Sequence, residues 1–151
     1  MGYAGLGTTL QRMDTSARYL AFHGTIVLFI GLMCGSPYGR AINQNYPAHI
    51  VTAWRFAHSA LPFSAMLMFA IAALLSAFTV TAQFKWFISW MWIASSYAFC
   101  ISLPLAAVIG HLGLAWKGPW TAKLVFIANV LGAATSVFAT LALMYASYVS
   151  L

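Results

Sequence analysis

"HSALPFSAMLMFAIAALLSAFTVTAQFKWFISWMWIASSYAFCISLPLAAVIGH", residues 58–111, reads as two long apolar runs divided by the short break AQFK at 82–85. A bilayer core takes roughly 20 apolar residues of helix, and each run is long enough. A break that short permits only a hairpin, so the two runs lie side by side and antiparallel. Outward from this pair the pattern recurs. Runs at 18–35 and 122–149 are set off by GSPYGRAINQNYPAH (35–49), rich in Gly, Pro and Asn, and by GLAWKGPW (113–120), interrupted by Lys117 and Pro119. The expected fold is an all-α integral membrane four-helix bundle, a single domain over 1–151. Its spans are about 18–35, 56–82, 86–111 and 122–149, with both termini on one side.

Composition agrees. Of all residues 63% are hydrophobic and only 5% charged, where a soluble domain carries about 25%. The chain therefore belongs in a lipid bilayer. A net charge of +6 would suggest nucleic acid for a soluble protein. Here the cations stand singly between apolar runs, so they read as membrane-edge anchors and no nucleic acid is expected. Arg12, Arg18 and Lys85 fall on one side, and Arg40, Arg55, Lys117 and Lys123 on the other, a split that sets no orientation. Trp54, Trp86, Trp90, Trp92, Trp116 and Trp120 all fall at or near expected span ends, as an aromatic belt. Arg12 and Arg18 precede the first apolar run as in a secretory signal. No A-x-A site follows, and Met33 before Cys34 is too bulky for lipoprotein cleavage, so 19–35 reads as a mature helix.

Asp14 is the one carboxylate side chain. That excludes paired-carboxylate hydrolysis, carboxylate proton relays and oxygen-cage calcium or magnesium sites. Cys34 and Cys100 have no CxxC spacing and read as free buried thiols. Small residues are dense at 132–147, with small-xxx-small spacing at Gly132/Ser136 and at Ala73/Ala77. Four helices enclose little space, so a homo-oligomer with sites at or near subunit contacts is expected.

The four histidines differ in depth. His58 opens the second span, His111 ends the third on the same side, and His49 lies in the 35–49 loop. His23 enters the first span from the opposite side, roughly 15–20 Å from the level of His58, so the two share no metal within one subunit. His23 and His111 read equally as satisfied core residues. His58 has unusual surroundings: Pro62 donates no i→i−4 bond, so the His58 carbonyl loses its helical partner. A kink is expected there, with Ser59 or water serving the freed carbonyl. Neutral imidazole is a good haem ligand, and a chain with a single carboxylate and no clustered cysteines needs a cofactor for difficult chemistry.

The stretches FHGTIVLFIGLMCG (22–35) and WRFAHSALPFSAMLMFAIAALL (54–75) resemble the small four-helix membrane isomerases typified by styrene oxide isomerase, to which hydroxylaminobenzene mutase is similar. The matching positions are His23–Gly24, Trp54, Arg55, Ala57–His58–Ser59, Pro62 and Ser64. The resemblance implies haem b held by His58, a homotrimer with haem between subunits, and ferric iron as a Lewis acid. It further implies that a small hydrophobic epoxide, or a related aryl substrate, is isomerised by ring opening and a hydride shift to an aldehyde. Arg55 is the residue suited to a haem propionate. Ser64 stands where the family has asparagine, and Cys100 or Tyr97 near the family's third-span tyrosine; these three are the candidate catalytic positions. On an ideal helix Ser64 points about 240° away from His58. Two other readings stay open: a haem electron carrier or sensor with His111 as second axial ligand, and a transporter or structural subunit without cofactor. The expected location is a bacterial inner membrane.

Overall fold

The computed structural model describes residues 13–111, 113, 115–116 and 118–151. Arg12 and Lys117, read above as anchors, lie outside the described residues. Five helices follow in order: α1 (Thr15–Met33), α2 (Gly35–Asn43), α3 (Ala48–Leu75), α4 (Ala82–Ile109) and α5 (Trp120–Val149). Four stretches are long and apolar enough to cross a membrane, α1 continued by α2, then α3, α4 and α5. In hydrocarbon the backbone must satisfy itself, which helices do. The protein is an all-helical integral membrane protein.

The expected boundaries need correction in three places. The polar loop at 35–49 is largely helix: α2 carries Pro37 in its first turn, where no intrahelical donor is lost, and buries Ala41. α3 therefore begins at Ala48 rather than 56, which places His49 in a helix and not a loop. The hairpin is also displaced. AQFK forms the first turn of α4, and the chain reverses over 76–81, with the Thr81 hydroxyl accepting the Phe84 N–H at 3.3 Å as cap. α4 ends where Gly110 takes φ 70°, a left-handed cap that glycine adopts without a Cβ penalty. Trp90 and Trp92 consequently lie well inside α4 rather than at its end, and Trp92 is buried in the core rather than exposed to a headgroup layer.

α1, α3 and α4 pack against one another, while α5 contacts α4 alone. Between lipid-facing helices no hydrophobic force remains, so close packing and polar side chains hold them together. The closest approach is at Gly31 on α1, where any Cβ would run into the Pro62 ring and Leu61. Gly24 plays the same part against Phe69. Ala73 and Ala77 are exposed, whereas Gly132 is buried beneath Phe99. Serines of α4 supply the polar links. Ser89 donates to the Ser16 carbonyl at 3.3 Å, Ser95 to the Gly132 carbonyl at 2.8 Å, and Ser96 pairs with Ser64 at 3.0 Å.

One end of the bundle is tied by polar contacts. Lys85 Nζ meets Asp14 Oδ2 at 2.6 Å, the Asp14 N–H reaches Ser76, and the Thr79 N–H reaches Ser150. Lys85 is 9% exposed, and the Asp14 carboxylate is the partner of its ammonium. Asp14→Asn is expected to cost about 1–2 kcal/mol, less than for a fully buried pair because Asp14 is half open to solvent. A thermal melt in detergent checks this: an unchanged midpoint would show the pair to be dispensable.

Candidate functional site

His58 lies in the third turn of α3 and faces α1. Its Nδ1 stands 2.9 Å from the Gly31 carbonyl. A carbonyl only accepts, so Nδ1 carries the proton and donates, and the lone pair is left on Nε2. Gly31 sits in the last turn of α1, where carbonyls have room for a further donor. The sequence folds this way because Gly31 has no Cβ: α3 can close on α1 at Pro62, one turn beyond His58. Pro62 thus acts by packing. α3 continues as helix through it, and Ser59 donates to the Phe56 carbonyl rather than to that of His58. Tyr38 of α2 lies over the imidazole, ring centroids 6.2 Å apart and planes 29° off parallel. The ring is half-buried and held on several sides.

The other candidates are distributed over separate places. Ser64 is turned towards α4 and paired with Ser96, in keeping with its angle from His58. Tyr97 Oη is 2.9 Å from His23 Nδ1, so these two form a pair across α1 and α4. Rings of Tyr19, Phe22 and Trp90 stand within 6.4 Å of His23, centroid to centroid. His23 and Gly31 are eight residues apart on α1, so this pair and His58 differ by roughly 12 Å in depth. Cys100 is half-buried against the core one turn beyond Tyr97. Arg55 is exposed, three residues before His58. His111 is exposed just past the α4 cap, and its neighbour Gly110 packs on His49 and Ile50.

A cavity of about 850 Å³ opens between α3, α4 and α5. Phe56, Phe99 and Leu103 give it apolar walls, and His49, Thr52 and Asn129 give it polar ones. Its α3 wall, with Phe56 about 200° around the helix from His58, is the flank away from α1. No group of three or more His, Cys, Asp or Glu fit to hold a bare metal ion occurs among the described residues.

A family model for styrene oxide isomerase matches residues 16–148. The chain belongs to the styrene oxide isomerase family. No curated protein and no solved structure matched the chain. Family membership supports isomerase activity in an integral membrane protein. The matched region takes in His23, His58, Ser64, Tyr97 and Cys100, and extends through α5, well beyond the stretches that first showed the resemblance.

For a family enzyme the structure adds residues that the sequence did not single out. Gly31 and Tyr38 reach His58 from positions 27 and 20 residues earlier in the chain, and no local pattern announces them. The cavity walls Phe56, Phe99, Leu103 and Asn129 were hidden among ordinary apolar neighbours. The glycine spacing Gly24, Gly31, Gly35 was a usable signal, since small residues on one span mark a helix contact.

Proposed function

We propose that the protein is a haem b-dependent membrane isomerase that converts a small hydrophobic epoxide to an aldehyde, or rearranges a related aryl hydroxylamine-like substrate. One observation carries the reading: His58 donates Nδ1–H to the Gly31 carbonyl and so keeps Nε2 as a free lone pair. That is the arrangement an axial imidazole needs, with its second nitrogen fixed by a backbone carbonyl. Haem asks for one such ligand, which suits a chain lacking any three-residue metal group among its described residues. The residues present fit the group. His58 would hold it, and Arg55 on the exposed side of α3 is the cation available to a propionate. Haem bound there would supply a ferric Lewis acid for the substrate oxygen.

The overall change is redox-neutral. A C–O bond opens, a hydride moves to the adjacent carbon, and the oxygen ends as a carbonyl. No protein carboxylate is required for this, in keeping with Asp14 being engaged by Lys85. The chain's own residues bind and orient the substrate. The cavity lies within the range of small-molecule pockets, and Phe56, Phe99 and Leu103 suit an aryl group. Ser64 and Tyr97 are each hydrogen-bonded to a neighbour, Ser96 and His23, and neither lines the cavity, so they rank behind the cavity residues.

Within one subunit His58 and the cavity lie on opposite flanks of α3. A head-to-tail ring brings the His58 of one copy to the cavity of the next, and such contacts close into cyclic oligomers. A homotrimer, the number that the family resemblance implies, is the proposed assembly. Mass measurement in mild detergent is expected to give three copies; a monomer that retains haem and turnover would remove the shared site. A bacterial inner membrane is the proposed location, because bacterial outer-membrane spans are β-barrels.

The function is tested with detergent-purified, haem-loaded protein and styrene oxide, without added electron donor. Phenylacetaldehyde is expected from the ferric protein and not from the chemically reduced one. Loaded protein that turns over neither epoxides nor aryl hydroxylamines in either iron state would overturn the isomerase reading. The electron-carrier alternative needs a second axial histidine. Within one subunit His111 is poorly placed for it, since its neighbour Gly110 packs on the α3 residues His49 and Ile50, whereas His58 faces α1.

A further inference from the structure

Gly35 opens α2, directly after the chain turns at Cys34. A Cβ built on it would lie 3.0 Å from His58 Cε1, 3.2 Å from Nδ1 and 3.5 Å from Nε2. All three are atoms of one imidazole, so the ring rests against the glycine backbone. Backbone conformation does not demand glycine here. Among the described residues the glycines with positive φ are Gly110, Gly113 and Gly118. Nor does a general scarcity of room in α2: a Cβ on Gly39, one turn later, would meet nothing within 4 Å. The atoms nearest to a side chain at Gly35 are therefore those of the histidine ring.

We infer that Gly35 is a positioning residue for His58, which seats the imidazole so that Nδ1 donates to Gly31 and Nε2 alone remains free. The inference rests on His58 as cofactor ligand for its purpose, but the geometry is a property of the protein itself. With Gly35 against the ring, Tyr38 over it and Gly31 bonded to Nδ1, the ring has one orientation and one tautomer. In water a free histidine side chain prefers the proton on Nε2, so the protein inverts the preference before any ligand arrives. Closeness tighter than ordinary van der Waals contact means that a methyl at Gly35 must move the ring by a few tenths of an ångström. That movement lengthens the Nδ1–Gly31 bond and loosens the hold on the tautomer.

The experiment compares the parent with Gly35→Ala and Gly39→Ala, all haem-free, with 15N-labelled histidine. His58→Ala identifies the His58 resonances. The parent and Gly39→Ala are expected to show His58 protonated on Nδ1, and Gly35→Ala to show a mixture of tautomers. Haem titration should then give about tenfold weaker binding for Gly35→Ala and no change for Gly39→Ala, the usual size of a loss behind a metal ligand. Unchanged His58 resonances in Gly35→Ala overturn the inference, whatever its haem affinity. A parent that takes up no haem would refute His58 as ligand while leaving the nuclear magnetic resonance comparison to decide the role of Gly35. If Gly35→Ala does not fold, the double variant Gly35→Ala/His58→Ala is made. Recovery of folding, once the ring is gone, confirms that the ring was the obstacle; no recovery refutes it.

Discussion

His58→Ala protein purified from membranes is expected to contain no haem and to lose epoxide turnover completely, while keeping the helical circular dichroism of the parent. The expectation follows from the single free imidazole nitrogen at this position. Nε2 has no hydrogen-bond partner among the described residues, whereas the His23 ring is already bonded to Tyr97. Removing the imidazole costs one hydrogen bond to the Gly31 carbonyl, about 1 kcal/mol, too little to unfold the bundle. His23→Ala and His111→Ala should keep the Soret absorption. Retention of full haem by His58→Ala, with loss in either of the other two, would falsify the ligand assignment. A histidine-free ligand can also be supplied from outside: imidazole added to His58→Ala should restore part of the absorption.

Gly31→Ala is expected to be the most disruptive small substitution in the spans. The new methyl would meet the Pro62 ring and the Leu61 side chain close to its backbone, and neither is a flexible end that swings away. Overpacking of this kind costs typically 1–3 kcal/mol, and separation of α1 from α3 also withdraws the carbonyl that holds Nδ1. The thermal midpoint in detergent should drop by several degrees and haem affinity should fall with it. Pro62→Ala in the same chain makes room, so the double variant should recover much of the loss, as coupled neighbours do. Equal midpoints for Gly31→Ala and the parent would show that the helices do not meet where they are placed.

The spanning helices were legible because hydrocarbon leaves the sequence little choice: long apolar runs with Thr, Lys and Pro breaks allow nothing else. The errors fell at the ends. Gly35, Pro37 and Gly39 read as loop because glycine and proline usually are, yet Ala41 is fully buried and α2 packs against α3. AQFK read as a turn because it is the polar break, although the small polar residues Ser76, Thr79 and Thr81 make the reversal just before it. At the site, His58 was legible from its motif and its cost in lipid. Its partners were not, since a bond to a glycine carbonyl 27 residues away has no local signature. Tyr97 was reached through resemblance, and its pairing with His23 became visible only when α1 and α4 were set side by side.

That α5 rests on α4 alone bears on how the chain is made. Helices leave the ribosome in order, and domains generally close as their parts emerge. By the time α4 is in the membrane, every contact among α1, α3 and α4 can form, including the one that sets the imidazole of His58. α5, emerging after them, then docks onto a finished wall and completes the cavity. In that order the pocket is completed only after the imidazole of His58 has been set against α1.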